Sequence, residues 1–336
     1  MRTPPSCPEI SVIVVNWNGR ALLGDCLGSL SAQSFRDCET ILVDNGSTDG
    51  SAAWVARHHP RVRLLRLVSN TGFSAGNNAG LSLARGRYVA LLNNDTRVEP
   101  GWLAALHRRI SADDRIAACD SKVLYYDRPH IIWAAGASYT VAGSVQARWS
   151  GLADGPATAA AADVFVAVAC AAIYRRSAID AIGFFDDAFF NGYEDVDWSF
   201  RAHLAGYRIV NEPAARVYHK VSLSQVHNSA GFVYHGQRNV SATFLKNMPA
   251  ALLARYGPLH LAYALGSFAY FARIGRVDAF LRAKRDLVRQ LPSIRRKRQA
   301  VQSLRTATPA EIGAALDRRW LPAKLGKFAG AGRDAP

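Results

Sequence analysis

Short β-branched runs that stop at polar clusters constrain this chain more than any other feature. Ile10–Val15 (ISVIVV) ends at Asn16-Trp17-Asn18-Gly19, Glu39–Val43 runs into Asp44-Asn45-Gly46-Ser47-Thr48-Asp49, and Tyr88–Leu92 ends at Asn93-Asn94-Asp95. A run that is apolar throughout fits a strand buried on both faces, as inside a parallel sheet. Between these runs the apolar spacing turns helical. Leu22, Leu23, Cys26, Leu27 and Leu30 share a face over 20–33, and Trp54 and Val55 point inward from a helix over Gly50–His58. A further strand over Val62–Val68 leads through a Gly/Asn-rich loop into a helix that ends at Ala84. Strand–helix alternation of this kind predicts an α/β fold with right-handed crossovers and a parallel sheet. Ligands of such sheets gather beyond the carboxyl ends of the strands, where all of these polar clusters fall.

Beyond a helix over Trp102–Ile110 the pattern loosens. Residues 127–160 fit either a long loop over the site or an irregular hairpin. Val164–Tyr174 is a strand or another buried segment, Arg175–Ile182 a short helix, and Gly231–Asn247 a longer one. No internal repeat occurs. From Tyr256 to Ala272 there is no charged residue over 17 positions, fewer than the roughly 20 needed to span a bilayer. Gly257, Pro258 and His260 interrupt the run, so Pro249–Arg273 is expected to be an interfacial helical pair or a buried core helix. Val277–Val301 continues as a basic amphipathic helix, and the final residues are expected to fray. The chain thus divides into a catalytic portion, 1–245, and a helical, basic, membrane-proximal portion, 246–336.

Composition excludes general disorder, since 49% of the 336 residues are hydrophobic and 20% charged. The net charge of +15 is uneven. From Arg273 onward 16 Lys/Arg face 5 Asp/Glu, a balance of 16 − 5 = +11, which leaves 15 − 11 = +4 for residues 1–272. Such a tail suits anionic lipid, nucleic acid or a solvated surface. It carries no aromatic residue between Phe280 and Trp320, which disfavours nucleic acid. Cys7, Cys26, Cys38, Cys119 and Cys170 form no CxxC pair, against a disulfide framework or zinc site and for a reducing compartment. With a polar, Pro-rich start and no signal peptide in view, the expected place is the cytoplasm, peripheral on the inner face of the membrane.

The chemistry concentrates between Asn191 and His219, NGYEDVDWSFRAHLAGYRIVNEPAARVYH. Glu194, Asp195 and Asp197 stand among Phe189, Phe190, Tyr193, Trp198 and Phe200. Carboxylates among aromatics are costly to ionise without a partner. They supply a general base, or they form an acidic helix N-terminus favoured by the dipole. Asp44 can accept a hydrogen bond from a pyrimidine imide and Trp17 can stack on a base; equally, one is a turn former and the other a core aromatic. Asn70–Gly80 lets the backbone approach an anion at a helix N-terminus, or makes a tight turn with Asn caps. It matches neither a Walker A loop nor GxGxxG. Asn93-Asn94-Asp95 is a sparse site for Mg²⁺, which needs substrate phosphates and water to complete its shell. If His219 ligates too, Mn²⁺ suits the site; otherwise His219 is a core histidine.

Taken in order, SVIVVNWNG, ILVDNGSTDGS, NTGFSAGNNAGL, YVALLNNDT, GFFDDAFFNGYEDVDWSFRAHLAGYRI and the later His219 resemble family 2 glycosyltransferases of GT-A fold. Within that family they look most like the bacterial rhamnosyltransferase and galactofuranosyltransferase-like branch. The resemblance covers about residues 9–240. It implies a Rossmann-like, mostly parallel sheet and inverting transfer from a dTDP- or UDP-linked sugar, first of all L-rhamnose, to a glycan or lipid-linked acceptor. It also implies Mg²⁺ or Mn²⁺ on the diphosphate. By that resemblance Val15 and Trp17 line the base pocket and Asp44 contacts the pyrimidine. Asn78, Asn94 and Arg238 lie near the donor, Asp95 and His219 bind the metal, Asp195 is the base, and Glu194 orients it or touches the acceptor. Two positions depart from the pattern: Asn93 replaces the first Asp of Asp-x-Asp, and Ala169-Cys170 replaces a Gly-Ala pair. A sugar nucleotidyltransferase is disfavoured by Asn-Trp-Asn-Gly-Arg after the first strand, where a Gly-rich basic loop is expected. A non-catalytic basic protein on membrane or nucleic acid is the remaining alternative.

Overall fold

The computed structural model describes residues 7–221 and 229–319. The segment expected to fray lies largely outside them. The first half alternates as the apolar spacing predicts: β1 (Ile10–Asn16), α1 (Arg20–Ser31), β2 (Cys38–Asp44), α2 (Ser51–His58), β3 (Arg63–Arg66), α3 (Gly72–Leu83), β4 (Tyr88–Leu92). Then follow β5 (Thr96–Val98), α4 (Trp102–Ser111), β6 (Ile116–Tyr125), β7 (Ile132–Ala134), β8 (Ala137–Tyr139), β9 (Val145–Ala147) and β10 (Ala162–Asp163). The chain continues through β11 (Ala171–Arg175), α5 (Arg176–Ile182), α6 (Glu194–Leu204) and β12 (Arg208–His219). Four helices close the described part: α7 (Ala230–Asn247), α8 (Ala250–Arg273), α9 (Val277–Ser303) and α10 (Pro309–Ala315).

The main sheet runs β10-β12-β6-β11-β4-β1-β2-β3, with β5 paired to β12 and β7 to β6. Strands β4, β1, β2 and β3 are parallel neighbours, as are β6 and β12. After β1 the chain builds outward through β2 and β3, then returns to place β4 on the other side of β1. The crevice of an open α/β sheet opens at such a reversal.

The core of the sheet is mostly parallel, as expected, and β11 runs antiparallel between β4 and β6. Its five residues are buried on both faces, and a strand of that kind looks the same in sequence whichever way it runs. The apolar segment before it is not one strand. Val164 and Val166 bond to Ile209 and Ala137, and the chain turns at Ala169-Cys170 before β11 begins. The stretch 127–160 resolves into short strands, with β8 and β9 forming a separate hairpin.

Core fills both sides of the sheet. Leu23, Leu27, Trp102, Leu106 and Ile110 from α1 and α4 cover one face. Ala178, Ile179, Trp198 and Ala202 from α5 and α6 cover the other. Helix α3 also sits on that face, close enough that a Cβ at Gly80 would lie 2.5 Å from the Ile13 side chain. A third core joins Tyr139, Phe165 and Phe200 to Phe244, Met248 and Leu252 of α7 and α8. Residue 245, the expected boundary, therefore falls inside a helix that belongs to both parts.

Pro249–Arg273 holds one helix rather than a pair, continuous through Pro258. Pro258 and Ala254 both face solvent, where water can serve the carbonyl that the missing N–H leaves free. Among the described residues no helix is long and apolar enough to cross a membrane.

Asp197 ties the layers together. Fully buried, it meets Arg201 at 3.0 Å and Lys246 at 2.8 Å, and accepts from the Asn247 amide at 2.8 Å. Removing it leaves buried Arg201 without its carboxylate and Lys246 with Asp186 alone, and breaking a buried pair in this way costs about 3–5 kcal/mol. Asp197→Ala is expected to lose stability of that order in urea unfolding followed by circular dichroism; a loss no larger than a surface substitution would contradict this role.

Candidate active site

The carboxyl ends of β1, β2 and β4 place their polar residues side by side. Asn16 and Asp44 are register partners across β1 and β2. The Asn16 side chain accepts from Asn94 Nδ2 at 2.8 Å and donates to Ser47 Oγ at 3.2 Å. Asp44 is 2% exposed and its Oδ1 has no hydrogen-bond partner, so a buried acceptor remains available at this floor. Trp17, one residue past β1, is 55% exposed and offers a ring face beside it. The core-aromatic alternative for Trp17 is thereby excluded. Val15 is partly buried and lies under α3, where a Cβ at Gly76 would come within 2.9 Å of it.

The next group lies past β4. Asp95 meets His219, the last residue of β12, at 3.1 Å between Oδ1 and Nε2, and both side chains are buried. Backbone pairing brings them together: His219 is the partner of Thr96, and Lys220 N–H donates to the Asp95 carbonyl at 2.9 Å. Trp133 closes over the imidazole edge-on at 4.9 Å. Burial alone would depress the His219 pKa, but Cys170 and the Asp95 carboxylate beside it outweigh that and raise it to about 10.

Both carboxylate oxygens of Asp95 and both ring nitrogens of His219 are buried without an aligned hydrogen bond. Buried polar atoms are ordinarily paired, so this set fits a cation that draws on both. Among the described residues no third carboxylate, thiol or imidazole completes a protein-only metal cluster. An ion held here would take its remaining ligands from substrate phosphates and water, as Mg²⁺ and Mn²⁺ sites do.

The acidic pair stands at the start of α6. Asp195 Oδ2 accepts from the Ala169 N–H at 3.0 Å and Oδ1 from the Val196 N–H at 2.8 Å. Glu194 is 4% exposed and its Oε2 has no partner. Burial first, and then the Asp195 charge, push Glu194 up to about 8, while burial raises Asp195 against the pull of its backbone donors. Two adjacent carboxylates in one dry site do not both ionise, and Asp195 has the backbone N–H donors that favour an anion. Glu194 therefore holds the proton and Asp195 the charge.

A dipeptide connects the two groups. Ala169 donates to Asp195; Cys170 accepts from Asn93 N–H through its carbonyl at 2.8 Å, and its thiol interacts with His219. Because β11 is antiparallel, its start lies at the carboxyl ends of its neighbours, and Ala169-Cys170 sits over the crevice. The departure from the Gly-Ala pattern thus falls at the joint of the site.

Other predicted residues are employed differently. Arg238 donates to the Ala188 and Phe189 carbonyls at 2.7 and 3.0 Å and to Asn239 at 3.0 Å, with Tyr234 on its remaining nitrogen. The adjacent Asn239 donates to Phe189, Asn191 and Gly192. The two brace a loop in which Phe190 and Tyr193 both have positive φ, a conformation costly for residues with a side chain. Arg238, expected near the donor, braces this loop. Asn78 likewise bonds the Phe185 carbonyl at 2.8 Å and Asp187 at 2.6 Å, tying α3 to the same segment.

The Asn70–Gly80 stretch follows its capping alternative. The first N–H groups of α3 are taken by Asn45 and Asn70 side chains and by the Phe190 carbonyl, which leaves no open anion site. Its glycines serve helix-to-sheet packing. Asn16, Cys170 and Asn239 are the residues that sequence reasoning did not assign. Asn16 stood in a cluster already marked, whereas the partners of Asn239 are 47 to 50 residues away.

Comparisons with known proteins identify the family and the fold. The sequence model described as "Glycosyl transferase family 2" matches residues 11–183. Cholesterol galactosyltransferase of Borreliella burgdorferi is 32% identical over 120 residues, 35% of this chain and 34% of that protein. Succinoglycan biosynthesis protein ExoO of Rhizobium meliloti is 34% identical over 115 residues, 34% of this chain and 33% of its own length. The chain spans about a third or less of the first curated relatives it matches. Among solved structures, the mannosyltransferase PcManGT from Pyrobaculum calidifontis, in complex with GDP-Man and Mn²⁺, superposes with a TM-score of 0.54. It is 18% identical, over 89% of this chain and 86% of that one. GalNAc-T7 with UDP, GalNAc and Mn²⁺ gives 0.61 at 16% identity, over 86% and 58%. These likenesses establish a GT-A fold. With more than half of its length matched by the family's sequence model, the chain belongs to glycosyl transferase family 2.

Proposed function

We propose that the protein is an inverting glycosyltransferase that moves a sugar from a nucleotide-diphosphate donor to a hydroxyl of a glycan or lipid-linked acceptor. One observation carries this reading: the Ala169 N–H holds Asp195, while the next residue, Cys170, takes the Asn93 N–H two residues before Asp95, whose carboxylate faces His219. The sequence resemblance supports L-rhamnose as the sugar, dTDP before UDP as its carrier, and cell-surface polysaccharide as the product. The basic C-terminal helices support work at an anionic membrane face, on the cytoplasmic side where nucleotide sugars are made.

Asp44 and Trp17 hold the base, one by its free buried oxygen and the other by its exposed ring. Asn94 is held by Asn16 beside the donor floor. Asp195 takes the proton from the acceptor hydroxyl as that oxygen attacks the anomeric carbon opposite the leaving diphosphate. Glu194, protonated, stands beside it and keeps the local charge to one. Asp95 and His219 are the residues that would hold a divalent cation, which when bound supplies charge neutralisation on the leaving diphosphate.

Asp195→Asn is expected to lower transfer by about 10²–10⁴-fold while donor binding survives, the range for loss of a general base. Near-normal turnover in this variant would remove Asp195 from the role. His219→Ala is expected to weaken donor binding in the presence of Mn²⁺ but not in its absence, as read by calorimetry.

Glu194 gives a pH signature. Its folded pKa of about 8 lies above that of an unfolded glutamate, near 4.5. No penalty exists below the unfolded value, where both states are protonated. As pH rises between the two values only the unfolded state ionises, so stability falls, and above the folded value the loss is complete. Glu194→Gln is expected to flatten the decline in urea stability across that window, and an unchanged slope would assign the decline elsewhere.

A further inference from the structure

We propose that α8 is a monolayer-docking element that lays its solvent face into an anionic lipid surface and brings the acidic pair of α6 close to that surface. The proposal rests on the reading of the acceptor as lipid-linked, and names the structure that would meet it. Leu261, Leu265 and Phe268 recur at helical spacing and are 60%, 62% and 39% exposed. Pro258, Ala262 and Ala269 are exposed with them, and no charged or polar side chain is exposed between Tyr256 and Ala272. Surface helices normally turn polar residues to water, so a helix of 24 residues with an apolar outer face is built to be covered.

The charges around that face indicate the cover. Arg255 and Arg273 are exposed and bracket the apolar run along α8, and Arg282 follows on the outer side of α9. Phe268 packs against Phe280 at 5.7 Å, which places the start of α9 beside the end of the run. Leu281 and Val288 are exposed on α9 and interleave with Arg282, Arg285 and Arg289. Apolar residues rimmed by arginines suit acyl chains beneath anionic headgroups. A second copy on the same face would set one arginine rim against another. No described helix, α8 included, is long and apolar enough to cross a membrane.

The opposite face of α8 explains why docking serves the site. His260 bonds the Ala142 carbonyl at 2.8 Å and Ser241 at 3.0 Å. Tyr263 shares a small core with Ala142, Val240 and Tyr193. Tyr193 immediately precedes Glu194 and Asp195. About one helix diameter, roughly 10–12 Å, therefore separates the apolar face from the residues that lead into the acidic pair. An acceptor hydroxyl carried just above a lipid headgroup would lie within reach.

The test uses the full chain without nucleotide sugar, so that it stands apart from catalysis. In vesicle co-sedimentation the protein should partition onto phosphatidylglycerol-containing vesicles at least about tenfold better than onto pure phosphatidylcholine, and the difference should shrink at about 0.5 M salt. Leu261→Gln/Leu265→Gln/Phe268→Gln should lose at least about tenfold of that partition while donor binding in solution stays unchanged. A photoactivatable phospholipid should cross-link wild-type protein within residues 258–272, a readout that needs no variant. Vesicle binding unaffected by the triple change, cross-links confined elsewhere, or dimerisation through this face in sedimentation with no affinity for lipid would each overturn the proposal. Loss of nucleotide-sugar binding in solution, with vesicle binding intact, would instead count against the glycosyltransferase reading.

Discussion

The hydrogen bond from the Ala169 backbone to the Asp195 carboxylate is the contact around which the site is arranged. It joins the turn that leads into β11 to the first turn of a helix that packs on the face of the sheet. One residue on, the Cys170 carbonyl holds Asn93, two residues before Asp95, and its thiol meets His219. A slip of β11 by a single residue against β4 would turn this dipeptide over, because side chains alternate along a strand. The register Ala171 to Leu92 through Arg175 to Tyr88 therefore positions two chemical groups at once.

Holding the acidic pair there is costly, and the C-terminal helices supply the compensation. Phe190 and Tyr193 occupy positive φ without being glycine, and the carboxyl groups they lead to are buried. Arg238 and Asn239 of α7 answer with hydrogen bonds to carbonyls of residues 188, 189, 191 and 192. Two turns further along, Lys246 reaches Asp197 and Asp186. The same helix thus holds the strained loop from one side and anchors α6 beneath it. Pre-organisation of this kind spares the enzyme reorganisation when substrate arrives.

What the sequence made legible follows from what has a local period. Strands β1, β2 and β4 and the polar residues at their ends were readable, because an apolar run and its punctuation lie together in the chain. The direction of β11 was not, since a strand buried on both faces carries no mark of its neighbours' polarity. Asp197 looked like one more member of an acidic cluster, although Arg201 four residues later already offered a partner on the same helical face. The bracing bonds of Arg238 and Asn78 were hidden for the opposite reason. Their partners are backbone carbonyls about 50 and 107 residues away, which no residue type announces. Asn70–Gly80 was ambiguous because the same glycines and asparagines serve an anion loop and a capped helix. Phe190, whose carbonyl caps the helix, decides between them.

The replacement of an acidic residue by Asn93 acquires a physical sense in this setting. Asp95 is buried, and a second carboxylate two residues before it would add like charge to a site with little water. With Asn93 neutral, one carboxylate faces one imidazole, and the raised pKa of His219 means that the imidazolium balances Asp95 at neutral pH. His219 must release that proton before its nitrogen can serve a cation. The pair is therefore charge-balanced when it stands alone, and its affinity for a divalent ion falls as pH drops.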